Sequence, residues 1–122
     1  MSTIQTIPTR AGFIAARFKG HKALAKGIVI QAFDTGRPEW RLGLTATKKI
    51  GNAVVRNRAR RRLRALARHY LAPVARPGVD YVLIARHDTA LVAWDELVTG
   101  LPKALRYIHR CLDNAPSVDS RG

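Results

Sequence analysis

The segment from Lys48 to Arg68 constrains this chain more than any other part of its 122-residue sequence. It contains nine Lys or Arg residues in 21 positions, and the wider stretch from Trp40 to Val79 contains no Asp or Glu. All seven basic residues after Asn52 in this segment are arginine. Solvated charged surfaces normally mix signs, so a surface without acids indicates that an external polyanion supplies the counter-charge.

This segment is predicted to form an amphipathic helix that begins after Asn52. Asn is a favoured N-cap residue, Ala, Arg and Leu favour helix, and neither Gly nor Pro interrupts the segment between Asn52 and Pro73. At about 100° per residue, its apolar residues fall on one stripe that should face a core, with the cations opposite. The predicted stripe consists of Val55, Ala59, Leu63, Leu66 and Tyr70.

The arginines of the predicted helix repel one another. Three consecutive i,i+4 pairs of like charge link Arg56, Arg60, Arg64 and Arg68. Each such pair costs about 0.2–0.5 kcal/mol, and no acid in the segment relieves the repulsion. Binding to phosphate is therefore favoured, because Arg presents a planar fork of donors that fits phosphate oxygens and can stack on bases. Arg62 lies at the edge of the apolar stripe, and we expect its guanidinium to extend outward.

The charge of the whole chain indicates the same class of partner. Its net charge is +14, from 22 basic and eight acidic residues. A nucleic acid or an anionic membrane surface could balance this charge, and the charge alone does not choose between them. Membrane association through the cationic helix is the weaker alternative, because the apolar stripe is narrow and built partly from small residues.

The sequence predicts a single domain in the cytoplasm. A chain of this length can bury one core, and we expect residues 1–113 to form it and residues 114–122 to be a disordered tail. Cys111 is the only cysteine, which fits a reducing compartment. The N-terminus lacks the basic start and apolar centre of a signal peptide, and no apolar run is long enough to span a membrane.

The remaining pattern predicts helices packed against one mixed sheet, an α/β sandwich of the α+β class. Thr9 can cap a helix over residues 10–19 that Gly20 ends. Alternation and short apolar runs predict strands over residues 27–34, 40–47 and 81–85, and the polar, basic stretch 21–26 is a candidate for a short edge strand. A closing helix, kinked or interrupted at Gly100 and Pro102, is predicted from its apolar spacing. Its apolar residues are Leu97, Leu101, Leu105, Ile108 and Leu112.

The sequence KKIGNAVVRNRARRRLR, from Lys48 to Arg64, resembles the RNR motif of the bacterial ribonuclease P protein family. The motif is specific because it combines a Lys pair, an Asn-capped helix start and Arg-Asn-Arg followed by basic residues at fixed offsets. The resemblance implies the order α-β-β-β-α-β-α, a four-stranded mixed sheet and a ribosomal protein S5 domain 2-like fold. It also implies a left-handed crossover around the basic helix, against the right-handed rule that holds in about 98% of cases.

The resemblance implies that the chain is the protein subunit of ribonuclease P, the endonuclease that removes the 5′ leader of precursor tRNA. The sequence itself offers no active site, because its eight acids are scattered and its four histidines lack ligand spacing. In this family the RNA subunit performs the cut. The implied partners are the catalytic RNA and precursor tRNA in a 1:1 ribonucleoprotein, and the implied cofactor is Mg²⁺ bound mainly by RNA.

The first RNA-binding surface that the resemblance implies is the basic helix with the Lys pair before it. These positions match family residues that lie against the catalytic RNA. Contacts to phosphates release counterions, so affinity should fall with salt with a slope of about −0.7 per contact on a single strand. Asn57 is the neutral member, and a hydrogen bond on the helix surface is the alternative to an RNA or metal contact. The implied residues are Lys48, Lys49, Arg56, Asn57, Arg58, Arg60, Arg61, Arg64 and Arg68.

The second implied surface is a cleft between the first helix and the sheet, which in the family receives the single-stranded 5′ leader. Aromatic platforms suit this role, since a stacked base contributes about 1–3 kcal/mol. Phe13 matches a family aromatic, but Arg17 and Gln31 stand where relatives carry further aromatics. Phe18, Phe33 or the Arg17 guanidinium could substitute. The competing interpretation is that Phe13 and Phe33 are ordinary core residues.

A structural RNA-binding protein, such as a ribosomal protein, is the functional alternative that a basic helix also allows. It predicts sedimentation with ribosomes and no effect on tRNA processing. The RNR motif favours the ribonuclease P interpretation over this alternative.

Overall fold

A five-stranded mixed sheet forms the centre of the protein and carries helices on both faces. The structure is a computed structural model and describes residues 4–114. The elements in chain order are β1 (Gln5–Thr6), α1 (Arg10–Lys19), β2 (His21–Ala25), β3 (Ile28–Asp34), β4 (Arg41–Thr45), α2 (Ala53–Leu66), β5 (Val79–Ala85) and α3 (Trp94–Asn114). A 3₁₀ turn, Lys48–Ile50, precedes α2, and a π-helical turn, Ala67–Leu71, follows it.

The strands lie in the order β1-β4-β5-β3-β2. β3 is antiparallel to both of its neighbours, β2 and β5, whereas β4 is parallel to β5 and β1 is parallel to β4. The segment from β4 through α2 to β5 is therefore a crossover between adjacent parallel strands, as the sequence predicts. The left-handedness of this crossover remains a prediction.

The sheet has one strand more than the four predicted. β1 has two residues and pairs with the outer edge of β4, and the Ile7 N–H extends the pairing by donating to the carbonyl of Leu42 at 3.0 Å. Two residues are too few to show the alternation that identifies a strand in a sequence. The prediction therefore missed β1.

Two cores lie on opposite faces of the sheet, because alternate residues of each strand point to opposite sides. The larger core packs one face against α2 and α3. The smaller core packs the other face beneath α1, where Ala16 meets Ile7 and Val82. Fully buried residues of the larger core include Ile28, Ile30, Leu63, Leu66, Tyr81, Leu83, Leu97, Leu101, Leu105 and Ile108.

α3 continues without interruption through Gly100 and Pro102, so the predicted interruption is wrong, and the alternative of a kink remains a prediction. A Pro inside a helix costs about 3 kcal/mol, while burying each Leu or Ile gains about 1.5–3 kcal/mol. Four such residues of α3 are fully buried, which outweighs the cost of the Pro. The helix ends at Asn114, the first residue of the predicted tail. The rest of that predicted tail lies outside the described residues.

Candidate nucleic-acid interface

A tight turn at the end of β4 fixes where α2 begins. Lys48 and Lys49 are exposed in the 3₁₀ turn that follows the strand. Gly51 has a φ of 149°, and a Cβ added there would lie 2.9 Å from the side chain of Val55, so the turn requires glycine. The Asn52 side chain then accepts a hydrogen bond from the Val55 N–H at 3.0 Å and caps the helix. The turn thus places the Lys pair next to the first turn of α2.

α2 buries the predicted apolar stripe and exposes most of its cations. Ala59, Leu63 and Leu66 are fully buried, while Val55 and Tyr70 are half-buried. The repulsion among the arginines is therefore opposed by burial of the apolar side. The predicted RNA-binding residues that are exposed are Lys48, Lys49, Asn57, Arg58, Arg61, Arg64 and Arg68.

No carboxylate within residues 4–114 neutralises the cations of α2. The ion pairs in this part of the chain join Lys26 to Glu96, Arg37 to Glu39, Arg41 to Asp80 and Arg76 to Asp113. None of them involves a residue between Lys48 and Arg68. The exposed guanidinium groups of Arg58, Arg61 and Arg64 are therefore available to an external anion.

Two predicted RNA-binding arginines, Arg56 and Arg60, are half-buried and turn partly toward the protein. The Nη2 of Arg60 lies 3.5 Å from the carbonyl oxygen of Ala46, at the limit of a hydrogen bond. The Nε of Arg56 is buried and has no partner within residues 4–114. These two side chains therefore expose less of their guanidinium groups than Arg58, Arg61 and Arg64 do.

Arg62 belongs to the fold, so the expectation that it extends into solvent is wrong. Its Nη1 donates to the carbonyl oxygens of Thr89 at 2.7 Å and of Val92 at 2.6 Å. Its guanidinium carbon lies 5.8 Å from the ring centroid of Trp94. Arg62 therefore fixes the segment between β5 and α3 to α2. No sequence signal reveals this, because the accepting groups are backbone carbonyls.

α1 forms one wall of the predicted cleft, and Phe13 packs from it onto β4. A Cβ added to Gly43 would lie 2.6 Å from the Phe13 ring, so glycine is needed for this contact. Phe13 and Phe33 are half-buried against the smaller core, and Gln31 is buried at 5% exposure. These three residues support the sheet under α1 and present little surface to a ligand.

The other two predicted cleft residues, Arg17 and Phe18, are exposed on α1. Phe18 is 73% exposed, and the guanidinium carbon of Arg17 lies 5.2 Å from the Phe18 ring centroid. Such a contact is a cation–π geometry. The pair offers a charge and an aromatic face next to each other at the end of α1.

A row of partly exposed residues crosses the sheet on the face that carries α1. Strand register places Leu24 opposite Val29, Val29 opposite Ile84, and Ile84 beside Thr45. Leu24 is 68% exposed and the other three residues are half-buried. The sequence does not reveal this row, because Val29 and Ile84 are apolar residues of predicted strands and only the extent of α1 leaves them uncovered.

A buried ion pair fixes the two central parallel strands beneath the start of α1. Arg41 donates through Nε and Nη2 to the two carboxylate oxygens of Asp80, at 2.8 and 2.6 Å. Asp80 is 1% exposed, and hydrogen bonding to it raises the pKa of Arg41. Because both of its carboxylate oxygens accept hydrogen bonds from Arg41, Asp80 stabilises the fold.

The described part of the chain contains no metal cluster. No group of three or more His, Cys, Asp or Glu residues between positions 4 and 114 is arranged to hold a metal ion. The same range contains no helix with the length and apolarity needed to cross a bilayer. This geometry supports a cationic surface that binds an anionic polymer.

Known proteins resemble this chain in both sequence and structure. A family model described as Ribonuclease P matches residues 1–109. The chain belongs to the ribonuclease P protein family. The ribonuclease P protein component of Ruegeria pomeroyi is 45% identical over 111 residues, covering 88% of this chain and 89% of the relative. That of Gluconacetobacter diazotrophicus is 44% identical over 99 residues, covering 80% and 84%.

Solved ribonuclease P proteins share the fold. The Staphylococcus aureus protein matches with a TM-score of 0.70 and 24% identity, over 86% of this chain and 95% of that one. The Thermotoga maritima protein matches with a TM-score of 0.69 and 24% identity, over 87% and 96%. These structures support the mixed sheet and three helices of the ribonuclease P protein described above.

Membership in the ribonuclease P family settles the general function. The chain is a protein component of ribonuclease P, an endoribonuclease that acts in tRNA 5′ leader processing, and its partners are the ribonuclease P RNA and precursor tRNA. The ribosomal alternative is not favoured by these matches.

Proposed function

We propose that the exposed cations of α2 dock this subunit onto the catalytic RNA of ribonuclease P. The observation that carries the proposal is the set of arginines on α2 that no carboxylate of residues 4–114 neutralises. Arg58, Arg61 and Arg64 form the centre of the surface, and the Lys pair extends it toward β4. Phosphates would supply the missing counter-charge and relieve the repulsion along the helix.

The second part of the proposal assigns the sheet face beside α1 to the single-stranded leader. The row from Leu24 to Thr45 gives an apolar floor, and Arg17 with Phe18 gives a charged and aromatic wall. Single strands bind to such surfaces through stacking and through cations along the backbone. Phe13 and Phe33 support this floor from the smaller core.

Catalysis is assigned to the RNA, with Mg²⁺ bound mainly by RNA, in a cytoplasmic 1:1 complex. This assignment is supported by the membership of the chain in the ribonuclease P family. The protein would contribute binding and charge neutralisation, which lower the magnesium concentration that the RNA needs.

Reconstitution with the cognate RNA at low magnesium tests the docking surface. The purified protein should restore cleavage of precursor tRNA, and Arg58→Glu with Arg61→Glu should abolish this restoration. Arg106→Glu with Arg110→Glu on α3 is the matched control, because it reverses the charge of two other exposed arginines. Equal loss with this control would show that total charge, and not α2, determines docking.

Leader length tests the second surface. Shortening the leader of precursor tRNA to one nucleotide should weaken its binding to the holoenzyme, and Arg17→Ala should remove most of this difference. Lys19→Ala is the control, since Lys19 is exposed on the opposite side of α1. If holoenzyme affinity is independent of leader length, the sheet face does not bind the leader.

A further inference from the structure

A groove lies between the outer edge of β2 and α3, far from the cations of α2. Its volume is about 570 Å³, and it is lined by residues 22–25 of β2 and by Gly100, Lys103, Ala104 and Tyr107 of α3. Gly100 and Ala104 present little side chain to the groove. Leu24 and Tyr107 are apolar residues that are 68% and 49% exposed. The groove is therefore an open, partly apolar surface next to a terminal strand.

The outer edge of β2 presents backbone N–H and C=O groups at the spacing that an additional strand would need to pair with it. Lys26 and Gly27 form a two-residue turn, and Ala25 lies opposite Ile28. Residues that flank such a turn form a hydrogen-bonded pair, so the N–H and C=O groups of Lys22 and Leu24 point away from β3. Within residues 4–114 no strand pairs with this edge. It offers two donors and two acceptors to an added strand.

The charges around the groove specify what kind of strand fits. Lys22 and Lys103 are exposed charged groups of the lining, and the lining contains no acid. A nucleic acid backbone is disfavoured, because its phosphate oxygens only accept hydrogen bonds, whereas a polypeptide strand alternates donors and acceptors at the spacing of this edge. A second copy of this chain is also disfavoured, because pairing the two β2 edges would bring their Lys22 side chains together.

We propose that this groove binds an extended acidic segment of another protein, which adds to the sheet beside β2. Its backbone would pair with Lys22 and Leu24. Its carboxylates would contact Lys103 on the face that carries α3, and the residues between them would lie beside Leu24 on the opposite face. β2 is at the end of the sheet opposite β1 and β4, whereas α2 packs on β4 and β5. The acidic segment and the catalytic RNA therefore bind at the same time.

Synthetic peptides test the pairing directly. The probe is a fluorescein-labelled hexapeptide that alternates Glu and Val, and anisotropy measures its affinity for the full chain. Two further versions carry N-methyl groups, one on the Val residues and one on the Glu residues. Only one set of N–H groups faces β2, so one version should lose about tenfold in affinity and the other should bind like the parent. Equal affinities of all three peptides would overturn the proposal.

Protein variants locate the binding site. Lys103→Glu should weaken the affinity for the parent peptide by about fivefold or more, because it reverses a charge in the groove. Arg61→Glu makes the same change in net charge on α2 and should leave the affinity unchanged. A greater loss with Arg61→Glu, or displacement of the peptide by ribonuclease P RNA, would place the peptide on the RNA surface and refute the groove.

Amide chemical shifts distinguish the remaining occupants. The peptide should shift the resonances of residues 22–25 and 100–107 in the full chain. Removal of residues 115–122 should not change its affinity, and a gain on removal would assign the edge to the chain's own C-terminal segment instead. Shifts of the same residues that depend on protein concentration without peptide would assign the edge to a second copy. Either result would overturn the proposal.

Discussion

Arg62 shows that one residue within a cationic pattern can serve the fold while its neighbours remain free. Seven arginines follow Asn52 in the basic segment, and a sequence alone gives them similar roles. Arg62 differs because its guanidinium donates to two carbonyls of the segment before α3 and stacks on Trp94. Its neighbour Arg61 is exposed and makes no such contact within residues 4–114.

Arg62→Ala should lower the free energy of unfolding by about 2 kcal/mol, because hydrogen bonds from a charged donor are lost. Urea unfolding measures this loss. The slope of RNA affinity against salt should not change, whereas Arg61→Ala should keep stability and reduce the slope by about 0.7. The assignment of Arg62 to the fold fails if Arg62→Ala reduces the salt slope as Arg61→Ala does.

His109 couples the stability of α3 to pH. Its Nε2 lies 2.7 Å from the hydroxyl of Tyr81, which accepts a hydrogen bond from the backbone N–H of Arg76. Burial, and then the charge of Arg76, lower the pKa of His109 below its ordinary value. The unfolded chain therefore binds this proton more readily than the folded chain does.

Stability should accordingly decrease as pH falls below about 6.5, the ordinary pKa of His, and continue to decrease until the pKa of His109 in the folded protein is passed. Above pH 6.5 the contribution of His109 is fully present. Thermal unfolding between about pH 5 and pH 8 measures the effect. His109→Gln should flatten this part of the profile, while His87→Gln, on an exposed residue, should leave it unchanged.

At the scale of elements, the sequence predicts the helices and strands whose sequence signals lie within the element or at its ends. α2 follows from an Asn cap and an apolar stripe, and α1 from Thr9 and Gly20, where the Thr9 hydroxyl accepts from the Gly12 N–H. β1 could not be predicted, because it exists only through pairing with the distant strand β4. The uncovered row on the sheet depends likewise on where α1 lies. Pro102 misled the prediction because long-range burial of α3 outweighs its local effect.

The absence of acids from α2 should reduce the stability of the free protein. Asn57 is exposed in the second turn of α2, with Arg60 and Arg61 at the i+3 and i+4 positions. Asn57→Glu should therefore raise the free energy of unfolding by about 0.5–1 kcal/mol, through two attractive pairs and a better helix propensity. Chemical denaturation checks this gain.

The same variant should weaken binding to ribonuclease P RNA by about tenfold or more, because it adds a negative charge to the docking surface. Asn57→Gln separates the two effects, since it improves helix propensity without a charge. It should gain less stability and lose less affinity than Asn57→Glu. If Asn57→Glu binds RNA as tightly as the original protein, this turn of α2 does not face the RNA.

At the scale of the whole molecule, the charge that attracts RNA also acts against the folded state. A net charge of +14 on a chain of 122 residues repels itself more strongly when the chain is compact. The four ion pairs within residues 4–114 lie outside α2, so they do not relieve its charge locally. The free subunit and the RNA-bound subunit should therefore respond to salt in opposite directions.

Raising NaCl from about 0.1 M to about 1 M shortens the Debye length from about 10 Å to about 3 Å. Screening about 1 kcal/mol of self-repulsion should raise the melting temperature of the free protein by about 3–6 °C. Over the same range, four phosphate contacts would give a salt slope of about −2.8, which lowers RNA affinity by about 600-fold. Calorimetry and filter binding measure the two effects on the same preparation. A melting temperature that falls with NaCl would mean that the charges of the free protein are already compensated, and the cations of α2 would then lack the unbalanced charge that docking requires.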